Sequence, residues 1–333
     1  MGAAVAAILL VVMFLLWPGW AYHWDWTGFG ESFGKPKNPQ GLRDYYPSKT
    51  LWDWMQLLLV PAVLAGAAGW LNWVQQRRLE KSETKREQDS VLDTYLNQVG
   101  NLLLHENLGE IADEKAQYVA RAQTSTAVRR LDSDRTAIMV RFLSESHLIP
   151  VLDLSQANLT KADLAQVDLT GANLGVASLK GADLSQAILT EANLARADLT
   201  EANLRASELG GVDLRLAILF KTDLTGANLG RANLVGANIG EANLSQANLT
   251  ETNLFGAKLG GANLTGANLT EAKLGGANLT GADLTKADLT RANLTGADLT
   301  RSILLDVQGL TRDQLEQAKS LQGAMISNGS MNP

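Results

Sequence analysis

A leucine stands at every fifth position from Leu154 to Leu304, and Ile239 is the one exception. The series runs through 31 consecutive units without an insertion or a deletion. Helix faces recur about every 3.6 residues and strand faces alternate, so neither element explains a period of five. Because a fixed repeat of this extent takes precedence over local propensity, the sequence indicates a repeat architecture.

The repeating unit reads A-[ND]-L-x-x, with a small residue two positions before each leucine. The exceptions at the small position are Val167, Val212, Thr222, Thr252, Ser207, Ser302 and, at the leading edge, Leu152. One large and one small apolar side chain per unit are too few for an ordinary globular core, but they can fill a narrow tube. We therefore expect a coil whose turns stack at about the 4.8 Å spacing of adjacent strands and cover one another's apolar faces.

The units, for example ANLTGADLTKADLTRANLTGADLT over residues 277–300, resemble the pentapeptide repeat family over residues 151–305. The resemblance implies a right-handed quadrilateral β-helix in which four units make one square turn. It also implies about eight coils and a length of roughly 35 to 40 Å. Residues four units apart would then stack in amide-rich ladders. One such ladder would contain Asp153, Asn173, Asn193, Asp213, Asn233, Asn253, Lys273 and Asn293.

Both ends of the repeat predict caps, because an open last coil would offer unpaired backbone groups to other chains. Residues 306–333 are predicted to form a capping helix and tail, with a capping box between Thr311 and Gln314. Leu310, Leu315 and Ala318 would share one face of that helix. At the other end, the amphipathic stretch RTAIMVRFLSESHLIP over residues 135–150 leads into the first repeat. Either segment could instead be an ordinary surface helix.

The first 74 residues predict a membrane anchor, since all eight tryptophans lie within the first 73 and surround two uncharged apolar stretches. We expect transmembrane helices over residues 1–22 and 51–74, joined by a non-cytoplasmic loop over residues 23–50. The predicted membrane-interface residues are Trp17, Trp20, Trp52, Trp54, Trp70, Trp73, Arg77 and Arg78. The first stretch could also be a cleaved signal peptide, although it lacks a basic start and an A-x-A site.

The stretch QQRRLEKSETKRE after the second predicted span holds five clustered basic residues, which places the rest of the chain on the cytoplasmic side. The expected location is therefore a plasma or thylakoid membrane, with the repeats in the cytoplasm. Residues 75–150 predict a helical linker and N-terminal cap, with a second helix over residues 113–132. An apolar stripe marks the first helix: Val91, Leu92, Tyr95, Leu96, Val99, Leu102 and Leu103. These helices could pack on the repeats or pair with a second copy of the chain.

The residues that usually carry catalysis do not form a pattern in this sequence. There is no cysteine, and His23, His105 and His147 lie in three separate regions without metal-ligand spacing. No glycine-rich phosphate loop is present, and the repeats contain only the aromatic residues Phe220 and Phe255, too few to stack nucleic-acid bases. We therefore predict a protein that is not an enzyme and that binds no cofactor, metal or nucleic acid.

Five apolar residues break the polar rule at outward positions of the repeats: Leu216, Ile218, Phe220, Val235 and Phe255. Leu216, Ile218 and Phe220 fall on one coil, and Val235 and Phe255 would stack one and two coils later. Apolar groups gathered on an otherwise polar surface are candidates for a partner site. They could equally be isolated exposed side chains, which are common on protein surfaces.

The sequence thus predicts a membrane-anchored scaffold that contacts lipid and holds other proteins of a membrane complex. The segments ARAQTSTAVRRLD and VRFLSESHLI resemble the region before the repeats in membrane-anchored pentapeptide repeat proteins of oxygenic photosynthetic bacteria. That resemblance implies a photosynthetic complex. The alternative is a regulator that mimics DNA, since some members of the family inhibit gyrase in this way. Residues 151–305 carry 16 acidic and 12 basic side chains, a weak net charge for such mimicry.

Overall fold

The computed structural model describes residues 51–106 and 114–327, and it describes side chains from residue 65 onward except at residues 81 and 104–114. These residues divide into two compact units, one ending at Glu83 and the other starting at Thr84. The long helix α1, Leu51–Glu106, contributes to both units. The two units are described separately below.

In the first unit, the described part of α1 presents exposed aromatic and apolar side chains. Trp70 and Trp73 are half-exposed, and the guanidinium of Arg77 lies 4.2 Å from the centroid of the Trp73 ring. In the part of the chain that the structure describes, no helix is both long enough and apolar enough to cross a membrane. Residues 1–50, which include Trp17 and Trp20, lie outside the described residues. Trp52 and Trp54 lie on α1 but are described by their backbone alone.

The second unit begins with a helical cap formed by the end of α1, by α2 (Glu114–Arg130) and by α3 (Ser133–Glu145). The cap is apolar on its inner side, where residues of the predicted stripe on α1, such as Tyr95 and Val99, are buried. Asp132 caps α3 by accepting a hydrogen bond of 3.1 Å from the backbone N–H of Arg135. A single 3₁₀ turn, Ile149–Val151, leads from α3 into the first repeat.

The helical cap is joined to the first coil by buried apolar contacts and by two arginines. On α3, Met139, Val140 and Leu143 are fully buried in the same apolar cluster as the repeat leucines. Arg121 of α2 donates to the carbonyl of Val151 at 2.8 Å, and Arg141 of α3 donates to the carbonyl of Asp163 at 2.9 Å. The cap therefore covers the open edge of the first coil, as a stacked coil requires.

From residue 151 the chain winds as a four-sided coil, because parallel bridges join each residue at an Asn/Asp position to the residue 20 positions later. We name the sides by their first bridged residue: side 1 from Asp153, side 2 from Asn158, side 3 from Asp163 and side 4 from Asp168. Coils are counted from residue 151, so that Leu216 lies in the fourth coil and Phe255 in the sixth. The predicted ladder from Asp153 to Asn293 is the column of side 1.

The leucines fill the coil. No repeat leucine from Leu154 to Leu304 is more than 1% exposed, and Ile239 is 1% exposed. The small residue two positions earlier also points inward, so that each side contributes one large and one small group. This arrangement confirms the predicted tube, and it explains why the period is five rather than 3.6 or 2.

The Asn and Asp of each unit close the corner that follows them. The Oδ1 atom of Asn193 accepts from the backbone N–H of Ala195 at 3.0 Å, and its Nδ2 donates to Asn173 in the previous coil at 3.0 Å. One side chain thus shapes a turn and also links two coils. The second residue of each corner adopts a positive φ, for example 61° at Val176 and 66° at Gly236. Glycine is frequent at these corner positions because it takes this conformation without strain.

The C-terminal end differs in part from the prediction. The capping box between Thr311 and Gln314 is confirmed, but its helix, α4, covers only Arg312–Glu316. Leu310 precedes α4 and Ala318 follows it, so the prediction that these residues share one helical face with Leu315 was wrong. Leu310 and Leu315 are nevertheless buried against the last coil.

After α4 the chain resumes the coil. Ser320 bridges Asp298, and strand β2 (Met325–Ile326) pairs in parallel with strand β1 (Ile303–Leu304). Helix α4 therefore occupies the place of side 1 in a ninth, partial coil. From α4, Nε2 of Gln314 donates to the carbonyls of Leu289 and Ala292 at 2.9 and 2.8 Å, which satisfies acceptors at the end of the coil.

Candidate partner-binding surface

Four of the five predicted apolar residues lie around the edge between sides 1 and 2, which we call the 1–2 edge. Leu216, Val235 and Phe255 occupy its corner positions in the fourth, fifth and sixth coils, and Leu216 and Phe255 are 54% and 61% exposed. Ile218 lies beside them on side 2. Phe220 is half-buried at the next corner, between sides 2 and 3, so the structure does not bring it to the same edge.

Each phenylalanine covers a glycine of the following coil. A Cβ atom placed on Gly275 would lie 3.2 Å from Cδ2 of Phe255, and one on Gly240 would lie 3.4 Å from Cδ2 of Phe220. Lys221 Nζ lies 5.2 Å from the centroid of the Phe220 ring and 3.6 Å from Glu241. Phe220 is therefore held by its own surroundings, whereas Phe255 remains open to solvent.

A shallow hollow of about 420 Å³ adjoins Phe255. Its lining also includes Asn253, Lys273, Gly275 and Thr295. The hollow exists because Gly275 has no side chain beneath the ring. It combines an aromatic wall, a glycine floor and one ammonium group, a mixture typical of small recognition sites.

Charge is unevenly distributed around the coil. At the outward bridged positions, sides 3 and 4 hold seven carboxylates and no basic residue: Asp163, Asp168, Asp183, Glu208, Asp223, Asp283 and Asp288. The same positions on sides 1 and 2 hold four carboxylates and two lysines: Asp153, Asp198, Asp213, Asp298, Lys258 and Lys273. The corner positions of the 1–2 edge carry Arg196 and Arg215 and no carboxylate.

Many basic residues of the coil are paired with carboxylates. Arg231 lies 3.2 Å from Glu251 one coil later, and Arg205 lies 3.2 Å from Asp223. Arg215 binds Asp213 in its own unit at 2.6 Å, and the hydrogen bonds from its guanidinium lower the pKa of Asp213. By contrast, within the described chain neither Lys258 nor Lys273 is within ion-pair distance of a carboxylate.

Sequence reasoning missed three residues of this surface. Val176 lies in the same corner column as Leu216, two coils earlier, and is 59% exposed. Its signal was a β-branched residue at a corner position. Lys258 and Lys273 were not predicted as site residues, because each stands at a position of the repeat where the residue type was expected to serve the coil alone. The signal that could have found them is a lysine in place of the usual Asn or Asp.

A second surface is the groove between α1 and α2 in the helical cap, with a volume of about 560 Å³. Tyr118, 75% exposed, lines it together with Val91 and Tyr95. The Tyr95 hydroxyl lies 2.9 Å from that of Thr124, and burial raises the pKa of Tyr95 to about 12. Oε1 of Gln123 is buried there, and no described hydrogen-bond donor reaches it. Within the described residues, no group of His, Asp or Glu side chains is arranged to hold a metal ion.

Comparison with known proteins gives one family. The model described as Pentapeptide repeats matches eight copies in segments between residues 152 and 304. No curated protein matches the chain. Among solved structures, HetL, involved in heterocyst differentiation regulation in the cyanobacterium Nostoc sp. strain PCC 7120, is 36% identical. That match covers 53% of this chain and 81% of HetL, with a TM-score of 0.23.

Two further solved structures match. A pentapeptide repeat protein from the thylakoid lumen of Arabidopsis thaliana is 37% identical over 29% of this chain and 65% of its own, with a TM-score of 0.24. A trypsin-treated variant of QnrB1, a plasmid-mediated fluoroquinolone resistance protein, is 19% identical over 52% of this chain and 81% of its own, with a TM-score of 0.40.

Proposed function

This chain belongs to the pentapeptide repeat family, and we propose that it is a non-enzymatic scaffold that holds protein partners at a membrane through the 1–2 edge of its coil. The observation that carries the proposal is Phe255, which is 61% exposed and stands on the same edge as Val235 and Leu216. A stacked coil filled by leucine from end to end is stiff. Its backbone therefore loses little conformational entropy when a partner binds at this edge.

The membrane part of the proposal rests on the sequence before residue 75. Two tryptophan-bracketed apolar stretches precede five basic residues, Arg77, Arg78, Lys81, Lys85 and Arg86, which favours a plasma or thylakoid membrane with the coil on the cytoplasmic side. The family is widespread in oxygenic photosynthetic bacteria, so the partners we propose are proteins of a photosynthetic membrane complex. Pairing of two copies through the groove between α1 and α2 is also part of this proposal.

The absence of cysteine makes the topology directly testable. We would introduce single cysteines as Ser32→Cys and Gln322→Cys, in the full chain, and treat intact cells with a membrane-impermeant maleimide. In intact cells the proposal expects labelling of Ser32→Cys alone if the membrane is the plasma membrane and of neither variant if it is the thylakoid; after lysis it expects labelling of both. Labelling of Gln322→Cys in intact cells would refute the orientation, and recovery of the unmodified chain in the soluble fraction would refute the anchor.

The partner site has its own test. The double variant Leu216→Asp, Phe255→Asp, which changes two of the most exposed apolar residues of the proposed site, is expected to lose the proteins that co-purify with the full chain in mild detergent. The matched control is Ile188→Asp, which adds a charge at an exposed apolar position on side 4, far around the coil from the 1–2 edge. Unchanged co-purification by the double variant, with the circular dichroism spectrum intact in both, would exclude this surface.

A DNA-mimicking regulator is the second candidate function. The observation in its favour is the seven carboxylates at the outward bridged positions of sides 3 and 4, where no basic residue stands. Gyrase supercoiling assays with the full chain decide between the two: inhibition that is lost when Asp183 and Asp223 are changed to Asn would favour mimicry. The scaffold proposal expects no inhibition.

A further inference from the structure

The region around Phe255 contains two lysines that the fold itself does not use. Lys258 stands between Asn238 and Asn278 in the column of side 2, and Lys273 stands between Asn253 and Asn293 in the column of side 1. Asparagine at these positions can donate to the coil before it, as Asn193 does to Asn173. A lysine gives up that amide link, so the stability of the coil does not explain its presence.

In the described chain, neither ammonium group lies within ion-pair distance of a carboxylate. In the fifth, sixth and seventh coils, the bridged positions of sides 1 and 2 are Asn, apart from these two lysines. The carboxylates nearest to them are already paired: Glu271, two residues before Lys273, binds Arg291, and Asp298, two coils after Lys258, lies 3.4 Å from Lys319. The described structure therefore places two unpaired cations on either side of an exposed aromatic ring.

The hollow beside Phe255 defines the apolar part of a complementary partner. Its floor, Gly275, is buried beneath the ring, and Lys273 lines the same hollow. An apolar side chain could pack in the hollow against the exposed face of the Phe255 ring while carboxylates beside it meet Lys273 and Lys258. Aromatic side chains are enriched in protein interfaces, and the two ammonium groups supply charge complementarity to carboxylates.

We propose that the 1–2 edge binds an acidic protein segment that carries a large apolar residue, with Phe255 and Gly275 receiving the apolar group and Lys258 and Lys273 the carboxylates. This inference rests on the proposed scaffold function and names the chemistry of its partner. Charge complementarity supports it, because the seven carboxylates of sides 3 and 4 would repel the same segment from the opposite half of the coil. A concave site also suits a protein side chain better than a lipid surface.

The test is selection of a random 12-residue peptide phage library on the full chain in detergent micelles, with counter-selection on the double variant Lys258→Asn, Lys273→Asn. We expect enriched peptides with at least two carboxylates near one large apolar residue. A labelled synthetic copy should bind the unmodified chain about tenfold more tightly than the double variant, measured by fluorescence anisotropy. Failure to enrich acidic peptides, or equal binding by the double variant, would overturn the proposal.

Two further variants separate charge from shape. The control Lys161→Asn, Lys286→Asn removes the same charge from two corner lysines that also lack an ion pair in the described chain, and it should leave binding unchanged. Gly275→Ala keeps both lysines but fills the floor of the hollow, so it should weaken binding. Equal weakening by the corner-lysine control would show a general charge effect and would contradict the proposed site.

A lipid surface is the competing occupant. Phe255→Cys, labelled with a polarity-sensitive dye in the full chain, can be reconstituted into vesicles of phosphatidylcholine with or without phosphatidylglycerol. The proposal expects the same emission in both; a blue shift confined to the anionic vesicles would assign the edge to lipid and overturn the proposal. Membrane anchoring is measured separately by the maleimide test, so the two proposals can fail independently.

Discussion

The guanidinium of Arg135 on α3 lies 2.5 Å from the carboxylate of Asp89 on α1, and this contact ties two helices of the cap together. Nη1 of Arg135 also meets Asp132 at 2.7 Å, and Nη2 donates to the carbonyl of Lys85 at 3.1 Å. The arginine side chain is only 11% exposed, whereas Asp89 is 61% exposed. The cap therefore depends on an arginine whose charge is satisfied at the surface while its stem is buried.

Replacing Arg135 by methionine should destabilise the cap. Methionine still fills the space that the aliphatic part of the arginine side chain occupies. Hydrogen bonds to charged groups contribute about 1.5 to 3 kcal/mol, and we expect a loss of about 2 kcal/mol in local stability. Hydrogen exchange followed by mass spectrometry should show faster exchange in α2 and α3. The control is Arg129→Met at an exposed position of α2. Equal exchange in the two variants would contradict a structural role for Arg135.

The buried hydroxyl of Tyr95 predicts a loss of stability in alkali. Burial raises its pKa to about 12, although the hydrogen bond with Thr124 acts in the opposite direction. An unfolded tyrosine ionises near pH 10, so the contribution of the neutral hydroxyl is complete below about pH 10 and falls away toward about pH 12. A shift of this size corresponds to roughly 3 kcal/mol.

Denaturant unfolding of the helical cap, followed by hydrogen exchange at several pH values, measures this effect. Lysines titrate in the same range, so the comparison is with Tyr95→Phe, which keeps the ring and removes the ionisable group. The stability of Tyr95→Phe relative to the unmodified chain should rise between about pH 10 and 12. A constant difference across that window would show that Tyr95 ionises at its ordinary pKa.

The repeat allowed each core residue of the coil to be predicted from the sequence. Because each unit has the same length, the burial of Leu154 implied that of Leu304, and the outward positions of Leu216 and Phe255 followed by counting. The capping box at Thr311 was readable because it is a local pattern of side chains three residues apart. Local and periodic signals were therefore sufficient for most of the coil.

The parts that could not be predicted depend on contacts between distant residues. The return of Met325 and Ile326 to pair with β1 is determined by the free edge of the last full coil, and the short sequence there has no strand pattern of its own. Lys273 has no ion-pair partner in its column because Asn253 and Asn293 flank it in the coils before and after. The first membrane segment remains a prediction, since residues 1–50 lie outside the described structure. The second lies on α1, and no helix of the described residues is long and apolar enough to cross a membrane.

Val176 should be a site of stored backbone strain. Its φ is 61°, a conformation that β-branched residues rarely adopt, and its side chain is 59% exposed. Val176→Asn should therefore stabilise the coil by about 1 kcal/mol, because asparagine tolerates this conformation. Urea unfolding followed by circular dichroism measures the change. Val235→Asn, at a corner position without positive φ, is the control and should give no gain. An unchanged midpoint for Val176→Asn would remove strain as the explanation.

Gly309 should be the least replaceable glycine of the C-terminal end. Its φ is 64°, and a Cβ atom there would lie 2.6 Å from Cα of Thr290, a backbone atom that cannot move aside as a side chain can. Gly281 has a similar φ of 68° but no atom within 4 Å of the added Cβ. Gly281→Ala should therefore cost only the conformational strain of about 1 to 2 kcal/mol.

Gly309→Ala should cost more than this by about 1 to 3 kcal/mol, because overpacking is added to the same conformational strain. The extra cost should appear locally, since Gly309 connects the last full coil to α4. We expect amide exchange to accelerate in α4 and β2 in Gly309→Ala and to stay unchanged there in Gly281→Ala. If both variants showed equal loss, the close approach to Thr290 would not be what requires glycine at position 309.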